Sequence, residues 1–141
     1  MKDHAIPGKC IVIEITEGVL LNADTDAFEI LKNFRNAGIK VAIDDFGTGY
    51  SSFGYLNKFE IEFLKIDKSF IHVLSNTALC EAIIVMAHKL GLQVIAECVE
   101  EQLQAEMLDK AGCDFVQGYL YSRPILAEQL DAILRHGAMG R

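Results

Sequence analysis

At 141 residues and 15.6 kDa the chain is the size of one domain, and 51% hydrophobic residues with a mean hydropathy of +0.23 exclude intrinsic disorder. A net charge of −7 argues against nucleic-acid polymers, whose binding rests on Lys and Arg neutralising phosphates. The longest strongly apolar run is the six residues 82–87, far below the ~20 needed to cross a bilayer, and no secretory leader pattern opens the chain. Cys10, Cys80, Cys98 and Cys113 form no CxxC pair and have no neighbouring His, so they are expected to be reduced, mostly buried thiols of a cytoplasmic protein rather than zinc ligands.

In chain order, the apolar run over 10–16 predicts a first strand. Ala27, Ile30, Leu31 and Phe34 then recur at helical spacing over 25–37, with Asp24 or Thr25 as caps and Gly38 as the stop. A strand over 40–44 follows. The Gly-rich stretch Phe46-Gly47-Thr48-Gly49-Tyr50-Ser51-Ser52 reads as a βα loop with Ser51 or Ser52 as a helix cap; it is neither a Walker A nor a GxGxxG motif. Residues 63–67 predict a third strand. Leu79, Ala82, Ile83, Met86, Ala87 and Leu90 predict a helix over 79–90, ended by Gly91 and followed by a strand over 92–97. The pattern repeats with Leu103, Met107, Leu108 and Ala111, then Gly112 and a short strand over 114–117. After Pro124 a last helix is expected over 126–134. Five βα units with near-continuous apolar strands and no hairpin signal indicate an α/β domain with a parallel sheet. His4, His72, His88 and His136 are scattered and read as structural.

Polar residues gather at the strand ends: Glu14, Thr16 and Glu17, then Asp44 and Asp45, Lys65 and Asp67, Glu97, and Gln117. Alternation puts Glu14 with Thr16, and Lys65 with Asp67, on one sheet face, leaving Ile13, Ile15, Leu64 and Ile66 to face the helices. Ligands of parallel α/β proteins bind at the carboxyl ends of the strands. A single acidic residue there is ordinarily a cap or a solvated loop residue. Four converging carboxylates, by contrast, repel unless a cation neutralises them, and an all-oxygen set suits Mg²⁺ or Mn²⁺. Two such ions can stabilise both oxygens of a phosphodiester displacement, and a Lys beside them can orient water or stabilise phosphate charge.

Five segments in this order, Ile13-Glu14-Ile15-Thr16-Glu17, Asp44-Asp45-Phe46-Gly47-Thr48-Gly49-Tyr50-Ser51-Ser52, Leu64-Lys65-Ile66-Asp67-Lys68-Ser69-Phe70, Val94-Ile95-Ala96-Glu97 and Gln117-Gly118-Tyr119-Leu120, together resemble the later motifs of the EAL-domain family. Members of that family are metal-dependent phosphodiesterases that linearise the bacterial messenger cyclic di-GMP. The resemblance implies a modified TIM barrel with Mg²⁺ or Mn²⁺ held by Glu14, Asp44, Asp45 and Glu97. It also implies that Lys65 assists the attacking water, that Gln117 orients groups in the site, and that Glu17 holds the Gly-rich loop, which also serves dimerisation. Glu100 and Pro124 would lie near the nucleotide.

The departures are specific. The namesake Glu-Ala-Leu segment is absent, with its metal-binding Glu and nearby Arg, and so is the metal-ligand Asn of the next strand. Cys98 stands where the family usually has Gly, at a position expected to need a φ that Cys tolerates poorly. A full barrel takes roughly 250 residues and eight strands, so residues 1–141 are expected to be the C-terminal portion of a single, truncated domain.

Three arrangements are open: completion by a second chain, whether a homo-oligomer or another partner; an open sheet with helices on both faces; or a remnant. The leading functional reading is a cyclic di-GMP phosphodiesterase domain, weak or inactive as this chain, without a membrane segment. The alternative is a non-catalytic module that binds the nucleotide or a protein. A receiver-like domain matches less well, because its acidic pair ends strand one and its Lys ends strand five.

Overall fold

The structure is a computed structural model and describes residues 6–21, 25–47, 59, 61–71 and 77–136. Within them run β1 (Val12–Thr16), α1 (Glu17–Leu21), α2 (Thr25–Asn36), β2 (Lys40–Phe46), β3 (Phe63–Ile66), α3 (Lys68–Ile71), α4 (Thr77–Lys89), β4 (Gln93–Ala96), α5 (Gln102–Lys110), β5 (Phe115–Val116) and α6 (Ala127–His136). The five strands form one parallel sheet in the order β1-β2-β3-β4-β5.

That order decides between the open arrangements. A parallel sheet that adds strands sequentially through right-handed crossovers keeps its helices on one face. The core agrees. Val41, Ile43, Leu64, Ile66, Val94 and Ala96, all of one alternation, are buried with Leu20, Ile71, Ile83, Ile84, Ala87 and Leu108 from α1, α3, α4 and α5. Of the three open arrangements, the sheet with helices on both faces is therefore excluded: the sheet is singly wound, like part of a (βα)8 barrel, as the resemblance implied. The opposite face carries Glu14, Ala42, Phe63 and Gln93 in one aligned row, with Lys65 and Ile95 beyond them. There Lys40 lies over the Phe63 ring at 5.0 Å, and Phe63 meets Phe115 edge to face.

Element limits shift from the expected ones for identifiable reasons. β1 starts at Val12 rather than Cys10, because Gly8–Cys10 closes a 3-10 turn through Cys10 N–H to Pro7 O and Ile11 N–H to Gly8 O. β3 stops at Ile66 since Asp67 turns to cap α3, its Oδ1 accepting the Ser69 N–H at 2.9 Å. Leu92 belongs to the turn that closes α4, donating its N–H to Ala87 O past Gly91 at φ +77°; Gly38 and Gly112 stop their helices in the same left-handed conformation. The short helices α1 and α3 were not anticipated, being too brief for a periodic signal. Two cysteines also depart from expectation: Cys80 is buried and Cys113 partly so, but Cys10 and Cys98 are exposed. Asp24, Ser51, Ser52, His4 and His72 lie outside the described residues.

β5 is shorter than the expected 114–117 because the carboxylate of Asp114 substitutes for strand backbone. Asp114 Oδ2 accepts the Val94 N–H at 2.8 Å and sits 2.8 Å from His88 Nε2, joining α4, β4 and the approach to β5. His88 is structural, as expected. Burial alone would raise the Asp114 pKa, but the Val94 amide and the His88 ring outweigh it and hold the carboxyl below its ordinary 3.8. A depressed folded-state pKa means the stabilisation is present above the unfolded value and is lost as pH falls through the folded one. Asp114→Asn is expected to lower unfolding free energy at pH 7 by about 1 kcal/mol, modest because the pair is partly exposed. It should also flatten the stability loss below pH 3.8, as followed by urea titration across pH.

Candidate functional site

At the carboxyl ends of the strands, on the face without helices, Lys65 is the centre of the site. Its side chain is 4% exposed, and its Nζ lies 2.7 Å from Glu14 Oε2, 2.7 Å from Glu97 Oε1 and 3.3 Å from Asp44 Oδ1. The carboxylates come from β1, from β2 and from the residue after β4, while Lys65 rises from β3 between them. To reach Glu14 the lysine must cross β2. Ala42, aligned with Glu14, carries only a methyl group and leaves that path open.

Burial by itself would depress the Lys65 pKa. Hydrogen bonds to Glu14 and Glu97, with the charges of Glu97 and Asp44, more than offset it and hold the ammonium above the ordinary lysine value. Its stabilising contribution is thus complete below pH 10.5 and fades only as pH rises through the higher folded value.

β2 carries an irregularity at the site. Its register with β3 slips between Ile43 and Phe46, and Asp45 adopts φ +55°. A bulge with a left-handed residue breaks the strict alternation of neighbouring side chains. Asp45 N–H donates to Asp44 Oδ1 at 3.0 Å, and Asp45 is exposed and absent from the Lys65 ion pairs. Glu17 is buried, and its Oε2 accepts the Gly47 N–H at 3.3 Å at the start of the Gly-rich loop, most of which lies outside the described residues.

Beside the lysine cluster opens a cavity of about 350 Å³ lined by Lys68, Glu97, Cys98, Glu100, Gln117, Gly118 and Tyr119. It brings Glu97, Glu100 and Gln117 together. Pro124 does not line it. Lys68, Gly118 and Tyr119 stand in the quoted motifs but were given no role there. Gly118 is where two loops touch, since a Cβ there would lie 2.1 Å from Val99 O. Cys98 has φ +53°, the left-handed conformation expected for a position usually held by Gly. A smaller cavity, walled by Phe28, Leu31, Val41, Phe59 and Ile61, lies apart, next to α2.

Among the described residues, no three His, Cys, Asp or Glu side chains are arranged to hold a metal by themselves. Three carboxylates nevertheless surround a single ammonium, so negative charge is left over at the strand ends. That surplus, all of it on carboxylate oxygen, fits a hard divalent cation.

Replacing the lysine with an uncharged isostere should expose the repulsion it now screens. Lys65→Met is expected to cost about 2–3 kcal/mol at pH 7, less than a fully buried pair because Glu14 is half exposed. Part of the loss should return on adding millimolar Mg²⁺ or on acidification, as read by thermal unfolding. At the strained loop the sign reverses: Cys98→Gly should raise stability by about 0.5–1 kcal/mol, measured by urea unfolding.

A protein-family model described as EAL domain matches residues 1–124. The cyclic di-GMP phosphodiesterase NbdA of Pseudomonas aeruginosa is 41% identical over 127 residues, covering 87% of this chain and 16% of that protein. The EAL domain of Mycobacterium smegmatis DcpA superposes with a TM-score of 0.89 at 37% identity, covering 97% of this chain and 63% of that one. BlrP1 of Klebsiella pneumoniae, solved as a manganese and cyclic di-GMP complex, superposes at 0.79 with 31% identity, over 87% of this chain and 32% of that one. The chain spans about a fifth or less of the length of several curated relatives it matches. By the family-model match over most of its length, the chain belongs to the EAL domain family.

Proposed function

We propose that residues 1–141 are the C-terminal portion of an EAL domain and contribute much of a cyclic di-GMP phosphodiesterase site. The observation that carries this reading is the Lys65 cluster, in which three strands deliver carboxylates to one buried ammonium at the ligand-binding end of a singly wound sheet. Glu14, Asp44, Asp45 and Glu97 are the residues that hold Mg²⁺ or Mn²⁺. Such an ion supplies a polarised phosphoryl oxygen and an activated water. The chain's own groups bind and orient. Lys65 donates toward the reacting phosphate or its water, and Gln117 and Glu100 line the cavity beside Glu97 and position the nucleotide. Glu17 anchors the Gly-rich loop through Gly47. Pro124, exposed in the segment before α6, borders the nucleotide from outside the cavity.

One observation favours a second reading, a binding or interaction module without turnover. Among the described residues β1 and β5 each pair on one side, and α6 exposes Leu130 and Leu134, with Leu126 just before it, along one stripe. A second copy or another chain completing the barrel would cover them. Catalysis by the isolated chain is accordingly expected to be weak. Four free thiols support a reducing, cytoplasmic setting, and no helix among the described residues is long and apolar enough to cross a membrane.

The test is chromatography of cyclic di-GMP incubated with the chain and Mn²⁺ or Mg²⁺, beside calorimetric binding. Slow formation of the linear dinucleotide, lost in Glu97→Ala and without metal, is the expected outcome. Binding without product would select the module reading. Folded protein giving neither would sink the phosphodiesterase and the nucleotide-binding readings.

A further inference from the structure

The segment between β4 and α5 carries Glu97 and Glu100 into the cavity, and its backbone is fastened from three directions. Glu97 N–H donates to Ile66 O of β3 at 3.3 Å. Val99 N–H donates to Gln117 O at 3.0 Å, Leu120 N–H donates to Val99 O at 3.0 Å, and Gly118 lies directly against the Val99 peptide. These ties are backbone to backbone. The third comes from a side chain: Gln104 of α5, 5% exposed, accepts the N–H of Glu100 at 2.8 Å and of Glu101 at 3.0 Å on the one oxygen Oε1.

The bond to Glu101 is half of a capping box, in which the Glu101 side chain in turn accepts the N–H of Gln104. A capping box needs no more than that. The bond to Glu100 reaches one residue further upstream, out of the helix and into the cavity wall. With Glu97, Val99 and Glu100 all fixed, the turn between them must be made at Cys98, and that residue holds φ +53°. Gln104 is thus the side chain, among the described hydrogen bonds, that sets the far end of this left-handed turn.

We propose that Gln104 is a positioning residue: through the Glu100 amide it fixes the backbone that aims Glu97 at Lys65 and Glu100 into the cavity. Its weight in nucleotide recognition rests on the cyclic di-GMP reading above; its effect on the backbone does not. A helix cap alone would stabilise α5 and leave residues 97 and 98 indifferent.

The experiment compares Gln104→Met, which keeps the length and removes the acceptor, with Gln104→Glu, which keeps the acceptor. Gln129→Met is the control, since Gln129 caps α6 by accepting the Leu126 N–H at 3.1 Å away from the cavity. Amide NMR of the full chain reads hydrogen exchange at Glu100 and Glu101 and the resonances of Glu97 and Cys98. Calorimetry reads cyclic di-GMP affinity with Mn²⁺. The expected result is at least tenfold faster exchange at Glu100 and Glu101 in Gln104→Met, displaced Glu97 and Cys98 resonances, and roughly tenfold weaker nucleotide binding. Gln104→Glu should restore all three, and Gln129→Met should change none. Faster exchange with Glu97 and Cys98 unmoved would reduce Gln104 to an ordinary cap and overturn the proposal. If the unmodified chain binds no nucleotide, the functional reading fails, and the Glu97 and Cys98 resonances alone decide the positioning role. Should Gln104→Met fail to fold, Gln104→Asn withdraws the same acceptor by one methylene and is read identically.

Discussion

A buried ammonium shared by three carboxylates is the constraint on which the rest of this domain is arranged. Lys65 alone in an apolar sheet would be costly to charge, and Glu14, Asp44 and Glu97 together would repel. Each makes the other tolerable. The arrangement demands that β1, β2, β3 and β4 run parallel with a fixed stagger, so that four groups from successive rows converge on the same face. It demands a small residue at Ala42. It also demands that the opposite face be wholly apolar, because no charge remains to be compensated there. Such a cluster contributes less to net stability than to uniqueness, since a one-residue slip of any strand would send its charge into the helical layer.

The site is therefore built by alternation and then modified where alternation fails. Among the described residues, two besides glycine adopt left-handed backbone, Asp45 within β2's slipped register and Cys98 after β4, and both adjoin a residue that reaches Lys65. Strain of this kind persists where the surroundings over-determine the backbone. At Cys98 those surroundings are visible, in the ties at Val99 and Glu100. At Asp45 they begin with its own neighbour's carboxylate.

Much of this was legible beforehand. The helical stripes and their glycine stops located α2, α4 and α5 to within a few residues, and the strand-end carboxylates identified the mouth where Lys65, Glu14, Asp44 and Glu97 meet. What escaped has a common cause. The lengths of β3 and β5 depended on whether Asp67 and Asp114 served the solvent or the backbone, a choice made by tertiary neighbours such as the Val94 amide. The strand order was equally hidden, since alternating βα units suit a doubly wound sheet or a barrel; only the packing of α1, α3, α4 and α5 on one face separates them. Gln104 shares the helical stripe of Met107, Leu108 and Ala111, so its inward face is readable from spacing, but its partner, the Glu100 amide, is not.

The sequential strand order bears on how the domain forms. Among the described residues, every strand pairs with the strands just before and after it in the chain, so none of these pairings waits for a segment made much later. Contacts of this kind enclose loops of one βα unit at a time, and the entropy lost on closing each is paid in small steps rather than at once. The sheet can lengthen from β1 toward β5 as the polypeptide leaves the ribosome, each new strand templated by the last. The charged cluster completes itself late in that progression, because Glu97 is the last of its four members to be synthesised.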